Sequence, residues 1–297
     1  MPINFHSFRI IDEDKGLRNM KVAILTNRAE TYSSRRLLEE LKAKSMNVEF
    51  INPMKIELLM GSANRFDAIL NRMTKVSMDP IGDQVLHFYE DIIQVNNYKS
   101  WNLMQDKFLQ QHYLSKLKIN LLPTLTLRGD LTDSIYKIFQ TWQLEFGDEF
   151  IVKNIYGNQG KGVNLVRGLD SLVSWLETFY LKKDQILLFQ PYIKPDQEIR
   201  TFNIKNQKTL YLARKNQNSF KANFHQEGEA ILMSSNPSME NILGTITQEL
   251  NLEYFAVDWL IKNDKLYVID INLVPGFEQL ELISKTNIAQ KIIECIA

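Results

Sequence analysis

The chain has 297 residues, 44% of them hydrophobic and 24% charged, a balance that supplies a core and excludes a mini-scaffold or a dominantly disordered chain. Lys plus Arg and Asp plus Glu number 35 each, so no overall field draws the protein onto nucleic acid or an anionic membrane. The single cysteine, Cys295, excludes an intramolecular disulfide framework and a multi-cysteine metal site, and it fits a reducing compartment.

The first patterned element begins at Met20, which leaves residues 1–19 as an N-terminal extension. That opening is too polar for a signal-peptide core, and no run reaches the roughly 18 apolar residues of a membrane span, so a cytoplasmic protein is expected. Lys21 to Thr26 reads as a buried strand, followed by a helix capped by Ser33 or Ser34 with Leu37, Leu38 and Leu41 on its apolar stripe. Val48 to Ile51 and Phe66 to Leu70 are further strands, and their alternation with helical patterns predicts a parallel α/β sheet.

Asn97 caps a predicted helix with Trp101, Met104, Phe108 and Leu109 facing inward, ending before an extended segment at Pro123. A helix over 132–146 follows. Phe150 to Ile155 and Val163 to Val166 then flank a loop with Gly157, Gly160 and Gly162, which predicts an antiparallel hairpin. From 186 the strands come in consecutive pairs, at 186–193, then 199–204 with 209–214, then 254–261 with 266–272. The fold class is thus α/β in the first part and α+β in the rest, with a cleft between the parts.

The strands around Lys262-Asn263-Asp264-Lys265 carry the most informative chemistry. A hairpin symmetric about position 264 sets Asp258 opposite Asp270, and the period of two puts Asn272 on the same face. Like charges directly opposite destabilise a sheet unless something positive lies between them. A divalent metal resolves the conflict, since two carboxylates and an amide oxygen are hard ligands that Mg²⁺ accepts. The same pattern is also compatible with a solvated face bearing scattered acids.

Tyr156 to Gly162 (Y-G-N-Q-G-K-G) follows the strand that holds Lys153. Glycines expose backbone N–H groups that can wrap phosphate oxygens, although an ordinary glycine-rich hairpin looks alike. The spacing matches neither G-x-G-x-x-G nor a P-loop. Lys107, Lys153, Arg200, Arg214 and Lys221 are cations on or beside predicted elements, able to neutralise phosphate or an oxyanion or simply to face solvent. Asn223 and His225 alternate with Lys221, and a lone histidine of this kind is commonly structural.

In order along the chain, these segments resemble the ATP-grasp superfamily and, within it, the RimK-like carboxylate–amine ligases. The resemblance runs from Met20 to the C-terminus. It is carried by M-K-V-A-I-L and T-Y-S-S-R-R-L near the front, I-V-K-N-I-Y-G-N-Q-G-K-G-V (151–163), F-Q-P-Y-I-K (189–194) with E-I-R (198–200), F-K-A-N-F-H (220–225) and V-I-D-I-N-L-V-P-G-F-E (268–278). It implies an ATP-grasp fold with an N-terminal α/β domain at 20–95, a central subdomain with a glycine-rich lid at 96–187 and a C-terminal subdomain with the metal hairpin at 188–297.

The resemblance also implies roles. Lys107 and Lys153 would contact the nucleotide phosphates beneath a lid holding Gly157, Gly160 and Gly162. Gln190, Pro191, Tyr192 and Ile193 would form the adenine hinge, with Glu198 on the ribose. Asp258, Asp270 and Asn272 match the ligands for Mg²⁺ or Mn²⁺, while Arg200, Arg214 and Asn223 match positions at the reacting phosphate and acyl group, with Lys221 beside them. Arg72 stands where relatives carry an arginine near the substrate.

Four positions depart from the family pattern: Asp270 and Pro191 replace glutamates, Lys221 replaces an arginine, and Val274 replaces a small residue. Lys221 lacks the planar fork of arginine, so anion recognition there is altered. The implied reaction joins a carboxylate to an amine through an acyl phosphate at the expense of ATP, with glutamate as a common donor and a protein, peptide or small molecule as acceptor. A ligase using another amine donor and a non-catalytic ATP-binding regulator are the competing readings. A homodimer or homotetramer is expected by analogy with relatives.

Overall fold

A computed structural model of the chain describes residues 20–55, 65–73, 81–128, 132–155, 162–180, 186–214 and 230–296. Near the N-terminus, β1 (Lys21–Leu25), β2 (Asn47–Ile51), β3 (Ala68–Asn71) and β4 (Ile93–Val95) form a parallel sheet in the order β2-β1-β3-β4. β1 and β3 are central and almost fully buried, which explains their continuous apolar runs.

Helix α1 (Tyr32–Ala43) lies against this sheet through Leu37 and Leu41, with Leu38 partly buried beside them. The expected serine cap is displaced. Thr31 occupies the N-cap position, whereas Ser33 and Ser34 sit buried in the first turn. Ser33 Oγ is used for a tertiary contact instead, accepting the Phe277 N–H at 3.1 Å.

The single helix expected after Asn97 is two. After α2 (Ile81–Phe88), α3 (Tyr98–Gln105) is capped by Asn97, whose side chain accepts the Ser100 N–H as anticipated. Asp106 then adopts an extended backbone and accepts the N–H groups of Phe108 and Leu109 at 2.8 and 3.0 Å, starting a new helix, α4 (Lys107–Lys116). An aspartate that satisfies the orphan donors of a fresh first turn competes with helix continuation. Trp101 and Met104 stay buried, but Phe108 and Leu109 turn outward.

The central sheet combines β5 (Leu125–Leu127), β6 (Glu149–Asn154), β7 (Val163–Arg167) and β8 (Leu187–Pro191) in the antiparallel order β5-β8-β6-β7. One face packs Phe150, Val152 and Phe189 against Phe139 and Trp142 of α5 (Asp133–Phe146) and Leu172 of α6 (Leu169–Tyr180). Strand β8 pairs wholly within this sheet, although the division expected at 187/188 assigns nearly all of it to the next subdomain.

The third sheet is antiparallel, β11-β10-β9-β12-β13, built from β9 (Gln197–Ile204), β10 (Leu210–Arg214), β11 (Ala230–Met233), β12 (Tyr254–Lys262) and β13 (Lys265–Asn272). It is covered by α7 (Pro237–Leu250) and followed by α8 (Glu278–Ser284) and α9 (Ile288–Ile293). Two cores join it to the parallel sheet. Leu25, Ile69 and Trp101 pack with Leu243, Phe255 and Ile271 in one, while Ile24, Leu37 and Leu70 pack with Phe202, Tyr254 and Ile292 in the other. The central sheet keeps its separate core, so its remaining face is available to line a cleft. Among the described residues, no helix is long and apolar enough to cross a membrane.

Candidate active site

Asp258 does oppose Asp270, but not in a symmetric hairpin. The turn is a two-residue loop, Asn263-Asp264, with φ of 49° and 62° and Lys262 paired to Lys265. Two left-handed residues match the twist of a tight hairpin and suit Asn and Asp. That register would place Ile269 opposite Asp258. A bulge intervenes: Trp259 pairs with Val268, Asp258 with Asp270, and Ile269 has no cross-strand partner. One extra residue thus turns Asp270 to the face of Asp258.

On its other side Asp258 faces Arg200 of β9. The guanidinium donates from Nε and Nη2 to the two carboxylate oxygens at 2.6 and 2.7 Å, a bidentate pair. Lys107, the first residue of α4, donates from Nζ to Asp270 Oδ1 at 2.7 Å. Arg200, Asp258, Asp270 and Lys107 therefore form a row of charges, plus, minus, minus, plus, across three strands and a helix start. The pairs offset the like-charge opposition that the hairpin alone creates.

Lys153 approaches from the central sheet. By the β6–β8 register its side chain shares a face with Ile151, Leu188 and Gln190, opposite the face that packs the aromatic core. Burial, then the neighbouring Lys107, lower its pKa to about 8, partly offset by Asp270. An amine desolvated beside a second cation is poised for an anion. We expect nucleotide binding to draw a proton onto Lys153 as pH passes through about 8, because phosphate favours the charged form. Calorimetry in buffers of different protonation enthalpy measures that uptake. Lys153→Met should abolish it and weaken nucleotide binding by about tenfold or more, the worth of a charged hydrogen bond. Without nucleotide the sign reverses, with the folded-state pKa below the unfolded value, so Lys153's contribution to stability rises with pH above about 8.

The other sequence-derived positions have the following surroundings. Gln190 is buried and donates to Thr124 Oγ1 at 2.8 Å, and Pro191 ends β8. The Tyr192 N–H is committed to Glu149 O at 2.8 Å, whereas Ile193 N–H makes no backbone bond among the described residues. The Tyr192 hydroxyl pKa is raised by burial and then by the Glu149 and Glu198 carboxylates, and Glu198 is itself buried. Gly162 has φ of +76°, the conformation that favours glycine.

Gly157, Gly160, Lys221, Asn223 and residues 1–19 lie outside the described residues, and of Arg214 only the backbone, paired with Ala230, is described. Arg72 is buried and donates from Nη1 to Tyr254 Oη and Pro275 O at 3.1 and 3.0 Å, fastening the first sheet to the loop after β13. Asn272 Oδ1 accepts the Val274 N–H at 2.9 Å. Asp258, Asp270 and Asn272 present hard oxygen donors from one face of a hairpin, a donor set that fits Mg²⁺. Two residues escaped the sequence reading. Gln110 and Gln111 of α4 are buried against β13. Their signal was a glutamine at 110, four residues before buried Leu114, where helical period calls for an apolar side chain.

The fold and the charge row define an ATP-grasp ligase: a parallel sheet, two antiparallel sheets, and lysines from two elements brought near a carboxylate-bearing hairpin. Residues 104–296 match the RimK-like ATP-grasp domain and residues 20–100 match the RimK PreATP-grasp domain. The chain belongs to the RimK-like ATP-grasp family. A probable alpha-L-glutamate ligase of Legionella pneumophila (strain Corby) is 28% identical over 295 residues, spanning 93% of this chain and 95% of that protein. Among solved structures, a RimK domain ATP-grasp protein from Sphaerobacter thermophilus superposes with a TM-score of 0.71 at 19% identity, covering 93% of this chain and 98% of that one. D-alanine–D-alanine ligase from Bacillus anthracis, complexed with ATP, superposes with a TM-score of 0.65 at 19% identity, covering 93% and 96%.

Proposed function

We propose that this ATP-dependent carboxylate–amine ligase transfers glutamate onto the carboxylate of a protein, peptide or small-molecule acceptor, and that the charge row is its phosphoryl-transfer and acyl-transfer centre. The observation that carries the proposal is the charge row, Arg200 paired with Asp258 and Lys107 with Asp270, with the buried Lys153 amine close enough to feel both Lys107 and Asp270. A site that holds two amines together is built for phosphate.

In this reading an acceptor carboxylate oxygen attacks the γ-phosphorus of ATP, the bond to the β-γ bridging oxygen breaks, and ADP leaves an acyl phosphate. Lys107 and Lys153 offset charge on the transferring group, so catalysis is positioning and electrostatics. The glutamate amine, as the free base, then attacks the acyl carbon. Arg200, oriented by Asp258, steadies the tetrahedral oxyanion, with Arg214 and Asn223 assigned beside it. Inorganic phosphate leaves, the amine proton passes to solvent, and an amide remains. Asp258, Asp270 and Asn272 would hold Mg²⁺, or Mn²⁺ in its place, and the metal would supply charge neutralisation at the phosphates when bound. Gln190 to Ile193 and Glu198 would receive adenosine.

The Legionella relative's name supports glutamate as the amine. Assembly as a dimer or tetramer and a reducing, cytoplasmic setting belong to the same reading. Burial first, then Glu253, pushes the Cys295 thiol up to about 11, which keeps it unreactive. The test is ADP release from ATP and Mg²⁺ with glutamate and pooled acceptor carboxylates, followed by mass spectrometry of the products. A product heavier by one glutamyl residue is expected. ADP release that ignores glutamate but responds to another amine would replace the donor, and no release under any pairing would leave a nucleotide-binding regulator.

A further inference from the structure

β13 is an edge strand, yet its outer backbone groups are satisfied by α4 and the turn after it. Before the bulge these groups belong to even-numbered residues. Leu266 C=O accepts Asn120 Nδ2 at 2.9 Å, and Val268 N–H donates to Asn120 C=O at 3.1 Å. After the bulge they belong to odd-numbered ones. Ile269 C=O accepts Gln111 Nε2 at 3.2 Å, Ile271 N–H donates to Gln110 Oε1 at 2.9 Å, and Ile271 C=O accepts Gln110 Nε2 at 2.9 Å.

A regular strand presents every second residue to one edge, so this change of parity is the outer signature of the extra residue Ile269. Only the bulged register offers Ile271 to Gln110 with both its N–H and its C=O. Gln110 is 1% exposed and is further anchored on Met104 C=O at 3.1 Å, so its amide has a fixed place. Without the bulge Ile269 would oppose Asp258 and Asp270 would point to the other face.

We propose that Gln110 is a positioning residue for the metal carboxylate. It locks the bulged register of β13, which sets Asp270 opposite Asp258, and by the same grip it seats α4 so that Lys107 meets Asp270. The inference rests on the reading of Asp258, Asp270 and Asn272 as metal ligands.

The test is Mn²⁺ binding in the presence of ADP, read by electron paramagnetic resonance without turnover. Gln110→Met conserves volume and removes both bonds to Ile271. Its comparator is Leu41→Ala, in the core on the far side of the parallel sheet, which lowers the melting temperature without touching β13. Gln110→Met should bind Mn²⁺ at least about tenfold more weakly, as losses behind a metal ligand do. Leu41→Ala should bind as the wild type does. Gln110→Glu, which keeps an acceptor for Ile271 N–H and loses the donor for its carbonyl, should fall between. A folded Gln110→Met protein with wild-type Mn²⁺ affinity would overturn the inference. If that variant fails to fold, wild-type affinity in both Gln110→Glu and Gln111→Met overturns it equally. Binding that persists unchanged in Asp270→Asn would remove the metal reading and this inference together. Asp270-dependent binding that ignores Gln110 removes this inference alone.

Discussion

Asp270→Asn is expected to lower turnover by at least about 100-fold, a larger loss than changes behind a metal ligand cause, while the unliganded fold survives. Two opposing effects act on stability. The substitution relieves the like-charge opposition with Asp258, but it also takes the carboxylate from Lys107 and leaves Lys107 facing Lys153 without a counter-charge. The side chains of the Lys107–Asp270 pair are 17% and 28% exposed, so stranding Lys107 outweighs the relief and stability should fall by about 1–3 kcal/mol. Asp270→Glu, which keeps a carboxylate at this position, should keep Mg²⁺-dependent turnover. Initial rates across a Mg²⁺ titration, with melting curves of each unliganded protein, decide the matter. An Asp270→Asn enzyme running at the wild-type rate in low Mg²⁺ would end the metal assignment.

The second large effect is expected at Arg200. Arg200→Met strands the Asp258 carboxylate, whose side chain is only 14% exposed. Removing one partner of a buried pair costs about 3–5 kcal/mol, and the residual exposure places this case near the lower end. Turnover should fall by about 100- to 1000-fold, the loss seen when an oxyanion donor is removed. Arg200→Lys restores a charge but not the two-pronged fork, so it should regain stability without regaining turnover. Arg200→Met combined with Asp258→Asn should recover the melting temperature and remain inactive. Trapping the acyl phosphate with hydroxylamine separates the two chemical steps. Hydroxamate formation should be far less impaired in Arg200→Met than amide formation, and equal impairment of both would rule out an oxyanion role confined to the second step.

Local patterns made much of this molecule legible. The strands at Lys21, Val48, Phe150, Ile199 and Tyr254 were visible because alternation or a short apolar run is written in neighbouring residues. The cap at Asn97 was visible for the same reason, since the side chain serves an N–H three residues away. The helix break at Asp106 was missed because the apolar stripe of Trp101, Met104, Phe108 and Leu109 runs through it without interruption. A cap inside a stripe is a local competition whose outcome depends on what each half packs against.

At the site the sequence by itself determined which residues were candidates and that Asp258 and Asp270 meet, together with the class of reaction through resemblance. It reached the facing pair with a wider turn and no bulge, because the two differences cancel at position 258. Only the tertiary structure decided that Arg200 holds Asp258 and that Lys107 holds Asp270, contacts spanning 58 and 163 residues. It also decided that Lys153 is buried near Lys107 and Asp270 and that Gln110 grips the bulged edge. The physical reason is the range of the interactions. Periodicity, capping and turn chemistry act over a few residues, whereas desolvation and charge pairing between distant elements are set when those elements dock, and no spacing along the chain encodes them.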